Sequence, residues 1–199
     1  MKRATRLAVA AGLACALAGG AGAQQGGSDS EAFLTAIREQ DGAKAMSIES
    51  RQGIGVVNYR GYNGDTPLTA AMAKRSSTYV AFLLGKGART DLSDKRGDTP
   101  LIIAARNGFG EGVEMMIASG AAVDLANKQG ETPLIVAVQG RHAVSVRRLL
   151  EAGANPDKPD FAAGFSARDY ARRDARNRDL LRMIETTKSR KPAMGPVKP

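Results

Sequence analysis

The chain has 199 residues, 43% of them hydrophobic and 25% charged, with 29 Lys and Arg against 20 Asp and Glu for a net charge of +9. A single Cys and a single His exclude a Cys/His zinc site and an intrachain disulfide framework, because each needs several ligands or partners at set spacings. The charge is unevenly placed: residues 24–159 carry 16 basic and 15 acidic side chains, whereas residues 160–199 carry 10 and 5.

In chain order, Lys2, Arg3 and Arg6 precede an apolar run over residues 7–17 and then the small-residue triplet AGA at 21–23. That is the layout of a secretory signal peptide, residues 1–23, cut after Ala23. The run is shorter than the roughly 18 to 20 residues that cross a bilayer, so no transmembrane span is expected. Cys15 does not read as a lipid anchor, because Gly12 stands where a branched apolar residue belongs in such a box. Cleavage removes the only thiol, which excludes a cysteine nucleophile from the mature chain. The expected localisation is the periplasm or, beyond it, full secretion.

Residues 28–61 open with SDSE, a capping box in which Ser28 and Glu31 start a helix. From there one phrase returns: GDTPLTAA at 64–71, GDTPLIIAA at 97–105 and GETPLIVAV at 130–138, with Thr66, Thr99 and Thr132 each 33 residues apart. A second phrase keeps step with it, as LLGKGARTD at 83–91, MIASGAAVD at 116–124 and LLEAGANPD at 149–157. Self-similarity at a fixed period of this size means stacked supersecondary units. Within each unit the Thr hydroxyl caps a helix and Pro67, Pro100 or Pro133 occupies its first turn, where a missing N–H costs nothing. Ala70, Ala71, Ala104, Ala105 and Ala137 keep one face of that helix small. A second helix carries Val80, Leu83 and Leu84 at i, i+3 and i+4, one buried stripe. Gly87, Gly120 and Gly153 end it in the left-handed conformation, and a polar loop then projects before the next Thr-Pro.

These residues resemble the ankyrin repeat, whose consensus reads roughly G-x-T-P-L-H-x-A-A, a helix ending in L-L, then G-A-x-V-N. The resemblance implies an all-α solenoid of helix-turn-helix units with protruding loops over residues 24–187. Its units are a degenerate first repeat at 28–61, full repeats at 62–94, 95–127 and 128–160, and a last repeat at 161–187 in which Ser166-Ala167 replaces Thr-Pro. Departures from the consensus fall at Thr69, Ile102 and Ile135 where His is usual, at Gly112 and Ser145 where an apolar residue is usual, and at Arg141 where an inter-helix glycine is usual. These predict a less regular last full repeat. In the basic end, Asp169 with Arg173 and Asp174 with Arg178 are spaced as i, i+4 pairs of a solvated helix; a dedicated anion site is the alternative reading. The tail at 188–199 is too polar and proline-rich to fold.

No catalytic constellation emerges. His142 has no nucleophile or metal partner by spacing and reads as structural; no metal site and no cofactor is expected. GIGVVN at 53–58 lacks the third glycine and the strand of a dinucleotide loop, and GFSAR at 164–168 is not a nucleophile elbow. Glu111 and Glu114 read as a hydrated helix face. The chain is therefore expected to be non-enzymatic, with no small-molecule substrate and nucleic acid disfavoured as a partner by export.

What the resemblance implies instead is a partner protein bound by loop tips and first helices. The tips supply Tyr62, Asn63 and Asp65; Lys95, Arg96 and Asp98; Lys128, Gln129 and Glu131. The first helices add Ala73, Lys74, Arg106, Asn107 and Gln139. Tyr59 and Tyr62 are candidate anchors, or else pack within the first loop. The expected role is a monomeric accessory or protective subunit of an envelope or stress-defence protein, the alternative being a secreted, host-directed or toxin-like effector.

Overall fold

The computed structural model describes residues 21–187, and among them there are ten α-helices and no strand. The signal peptide expected at 1–23 lies almost wholly outside these residues, and the tail expected at 188–199 lies outside them entirely. No helix of the described residues is long and apolar enough to cross a membrane.

The helices come in pairs. Helices α1 (Ala21–Glu39) and α2 (Gly42–Gln52) are followed by α3 (Pro67–Ala73) with α4 (Ser77–Gly85), α5 (Pro100–Arg106) with α6 (Gly110–Ala118), α7 (Pro133–Gln139) with α8 (Ala143–Glu151), and α9 (Ala167–Arg173) with α10 (Arg178–Thr186). The first helices form an inner row in which α5 packs between α3 and α7, flanked by α1 and α9, while α6 packs between α4 and α8 in an outer row. The core runs the length of both rows. Leu68, Leu101 and Leu134 of the repeated phrase are at most 1% exposed, so each unit's apolar face is covered by the next, as a solenoid requires.

Local chemistry sets each pair. Thr66, Thr99 and Thr132 have extended backbones, and each hydroxyl accepts the N–H three residues on, at 3.2, 3.2 and 3.3 Å. Such a cap is worth about 1 kcal/mol. Where consensus His is missing, Thr69 closes a reciprocal box with Thr66, its Oγ1 accepting the Thr66 N–H at 2.7 Å, while Ile102 and Ile135 are fully buried. Gly112 is explained by packing, because a Cβ there would lie 2.3 Å from the Phe109 ring and 3.0 Å from Met72 Sδ. Nothing comparable explains Ser145, whose buried Oγ has no hydrogen-bond partner.

Three expectations are corrected. Helix α1 begins at Ala21 and runs through Ser28, so the SDSE motif is not a helix start; the helix continues through it and Glu31 is free to meet Arg38 at 3.3 Å. The last full repeat is not irregular: α7 and α8 have 7 and 9 residues, as α5 and α6 do. Arg141 simply adopts φ 56°, matching Arg75 at φ 54° and Gly108 at φ 64° in the same register; the left-handed state costs a non-glycine residue roughly 1–2 kcal/mol, which neighbouring packing absorbs without disturbing the helices. Finally, Asp169 and Asp174 do not pair along their own helix. Asp169 accepts from Ser166 N–H and Oγ–H at 3.0 and 2.6 Å as a capping box, and Asp174 ends α9 and binds Arg141 at 2.7 Å and Arg176 at 3.3 Å.

Candidate functional site

Between successive pairs the chain projects a loop, and in the last three of the four an Asp or Asn side chain closes it. Asp94 Oδ1 accepts the N–H groups of Arg96 and Asp98 at 2.8 and 2.9 Å, Asn127 Oδ1 those of Gln129 and Glu131 at 3.0 and 2.9 Å, and Asp160 Oδ1 those of Ala163 and Gly164 at 2.8 and 2.9 Å. Side chains of this kind mimic a backbone turn. The first loop has Gly61 in that register, which leaves room for Leu34, only 2.5 Å from where a Cβ would stand.

The loops brace one another as well as themselves. The N–H of Lys128 donates to Arg96 O at 3.2 Å and that of Phe161 to Gln129 O at 2.8 Å. Gly97, at φ 80°, lies where a Cβ would come within 2.9 Å of Lys128 N, and Gly130, also at φ 80°, where one would come within 2.6 Å of Phe161 N. The glycine of GDTP and GETP is thus required twice, by its own conformation and by the next loop lying against it.

Behind the tips, the acidic members of the repeated phrase turn inward. Asp98, 4% exposed in its side chain, meets Arg106 at 3.1 Å and accepts from Asn127 at 2.7 Å, and the same Arg106 reaches Glu131 at 3.1 Å. Asp65 is held by Arg38 at 2.6 Å. In the last loop, burial would raise the Asp160 carboxyl, but the Tyr170 hydroxyl at 2.6 Å and the loop N–H groups outweigh it and hold it below its ordinary value. A buried charge lacking such partners would cost several kcal/mol.

Of the residues that sequence reasoning placed at the partner surface, Tyr62, Asn63, Lys95, Arg96, Lys128 and Gln129 are exposed at loop tips, and Ala73, Lys74 and Gln139 are exposed near the ends of first helices. Arg106 and Asn107 are half-buried. Asp98 is buried, and Asp65 and Glu131 are half-buried inside the polar network, so their carboxylates secure the loops instead of fronting solvent. Tyr59 packs against the core, and burial with a hydrogen bond to Glu31 holds its hydroxyl above the ordinary value. Tyr62 is 88% exposed, with Lys95 Nζ 4.7 Å from its ring centroid. Sequence reasoning missed Phe161, 77% exposed; the 33-residue register that carries Tyr62 to Lys95 and Lys128 lands on it, but its loop is one residue longer, Ser166 standing 34 residues after Thr132, which hid the correspondence.

His142 Nε2 lies 2.9 Å from Arg106 O, and its ring fills the space over Gly108 and Gly140, tying one inter-helix turn to the next. Among the described residues no group of three or more His, Cys, Asp and Glu side chains is placed to hold a metal ion. The family model described as ankyrin repeats matches in three copies, over residues 7–127 and 76–160. No curated protein matches the chain. The paired helices, the braced loops and the extent of that match together establish that the chain belongs to the ankyrin-repeat family, whose repeats generally mediate protein–protein interaction.

Proposed function

We propose that the chain is an exported, periplasmic, non-enzymatic binding module that holds a partner protein on its loop tips and first helices, as an accessory or protective subunit. The observation that carries this reading is the row of exposed tip residues, Tyr62, Asn63, Lys95, Arg96, Lys128 and Gln129, of which the last four stand on loops locked by Asp94 or Asn127 and by a hydrogen bond from the following loop. A rigid surface loses little entropy when a partner docks. The cationic and aromatic tips also suit recognition, since Tyr and Arg are enriched among residues that dominate binding energy. Lys74, Arg106, Asn107 and Gln139 extend the same surface along the first helices. Export rests on the layout of residues 1–23, and fractionation of cells making the full chain tests it: a shortened product in the periplasm is expected.

Partner capture tests the rest. The double variant Tyr62→Ala/Arg96→Ala removes two exposed tip side chains, and the tagged variant should lose its partner from periplasmic extract while keeping its far-ultraviolet circular dichroism. Capture that survives both changes would count against the tips.

A further inference from the structure

The proposal concerns what the loop row recognises, and it rests on the reading of that row as a binding surface. In a single register, 33 residues per step, stand Tyr62, Lys95, Lys128 and Phe161. They are neighbours in space too. Lys95 lies against Gly64, Lys128 against Gly97 and Phe161 against Gly130, so each side chain sits one loop beyond the last. Tyr62 and Phe161 are the two most exposed large hydrophobic side chains of the described residues, at 88% and 77%. Lys95 and Lys128 between them are exposed, with Arg96 beside them. The row therefore reads aromatic, cation, cation, aromatic.

The carboxylates that would cancel the charge are engaged elsewhere. Asp98 and Glu131 are held by Arg106 and Asn127, with Arg96 also on Asp98 at 3.4 Å, and Asp65 is held by Arg38, which leaves the charge of Lys95 and Lys128 uncompensated. Neither Lys95 nor Lys128 has an ion pair within 4 Å among the described residues. What docks on this row must bring negative charge to its middle and apolar groups to its ends.

Spacing narrows the ligand further. Packed helices lie about 8–10 Å apart, so equivalent tip positions recur at roughly that interval along the array, although neighbouring loops touch. A polyproline II segment has three residues per turn and rises about 3.1 Å per residue, which puts every third side chain on one face about 9.3 Å apart. Each such side chain would meet one loop tip. An α-helix rises about 1.5 Å per residue and would need about 20 residues to cover the row.

We infer that the row of Tyr62, Lys95, Lys128 and Phe161 binds an acidic, extended segment of a partner protein, with an apolar side chain at each end and carboxylates on the third and sixth residues between them. The pattern is apolar-x-x-acidic-x-x-acidic-x-x-apolar, and it reads alike in both directions. Single-stranded nucleic acid would also use aromatics and cations. It fits less well, because Lys95 already covers one face of the Tyr62 ring and so occupies a surface on which a base would stack.

The probe is a fluorescein-labelled ten-residue peptide with phenylalanine first and last, aspartate fourth and seventh, and proline and serine elsewhere. Anisotropy with the full chain should show binding that weakens with added salt, as screened charge requires. The charge reversal Lys95→Glu/Lys128→Glu should weaken it about tenfold or more, and a peptide with lysine in place of both aspartates should then bind the variant and not the parent. Phe161→Ala should cost about tenfold, in keeping with exposed aromatic anchors. Equal binding of the acidic and lysine peptides to the parent, indifference to the charge reversal, or displacement of the peptide by an oligothymidylate of equal length that binds more tightly would each overturn the inference. The broader reading fails separately. A captured partner that depends on Tyr62 and Arg96 but ignores the charge reversal sinks the acidic ligand alone, whereas capture that ignores Tyr62 and Arg96 sinks the binding row itself.

Discussion

The middle of the array and its C-terminal end solve the same packing problem by different means. In the middle, α5 and α7 are covered on both sides, and Leu101, Ile102, Leu134 and Ile135 are at most 1% exposed. At the end, α9 and α10 have one neighbour only, and polar ties take over much of the work: Arg168 with Asp157 at 2.6 Å, Arg141 with Asp174 at 2.7 Å, Tyr170 with Asp160 at 2.6 Å. Arg173 covers the Phe165 ring at 4.3 Å. Helix α10 keeps Leu180 and Ile184 inside and Arg178 and Arg182 outside. A unit with one face in water buries less apolar area, so charge-assisted bonds carry more of its attachment, whereas the interior units have apolar cover on both sides in addition to the Asp98–Arg106–Glu131 network.

Breaking the interior should therefore do the most damage. Leu134→Ala empties a fully buried site between neighbouring units and should cost about 2–5 kcal/mol, read as a lower urea midpoint. Leu180→Ala, at the end, should cost less in the same measurement. A smaller contrast separates two loop glycines. Gly97→Ala strains a residue at φ 80° and drives its Cβ to 2.9 Å from Lys128 N, which should cost about 1–3 kcal/mol; Gly164→Ala, at φ 68° with nothing within 4 Å, should cost only the conformational part.

In the opposite direction, Ser145→Ala removes a buried hydroxyl without a partner and should stabilise the array by about 1 kcal/mol. A destabilised variant would show that the hydroxyl has a role in packing α8.

Acid sharpens the comparison. Asp157, Asp160, Asp169 and Asp174 are all held below the ordinary carboxylate value of 3.8, and Asp174 is brought to about 2 by the Arg176 N–H and the Arg141 guanidinium. All four lie in or against the last unit. Outside it, Asp91 is also held low, by Arg89 of its own loop, so it ties no units together. A carboxylate depressed by folding contributes stability above its unfolded value, and that contribution is lost as pH falls through the folded one. Hydrogen exchange between pH 4 and pH 2 should thus show α9 and α10 losing protection before α5 to α8. Asp174→Asn should bring the same fraying on at neutral pH, as the smallest of these effects.

The interior was the readable part because its physics is local and repeated. Thr-Pro caps, alanine faces and terminating glycines each act within a few residues of themselves, so a 33-residue echo of them specifies helix, helix and loop without knowledge of the neighbours. Even there, Arg141 misled: glycine in its place would signal a left-handed turn, yet Arg141 takes that turn at φ 56° as Arg75 does at φ 54°. The edges were less legible. Ser28 has every local mark of a helix start, but α1 runs through it, and the acids of the last unit chose partners up to 33 residues away over those four residues along. Among site residues, exposure at Tyr62, Lys95 and Lys128 followed from the register. The inward turn of Asp98 did not, since it depends on Arg106 and on Asn127 of the following loop.

The sequence alone determined the repeating unit, its helix boundaries and the stacking that such units need, because period, caps and apolar stripes are properties of a chain segment. Tertiary structure decided which charges are spent inside and which are left at the tips, because an ion pair forms only when two loops have been brought side by side. That division leaves Tyr62, Lys95, Lys128 and Phe161 facing outward while Asp65, Asp98 and Glu131 are engaged behind them.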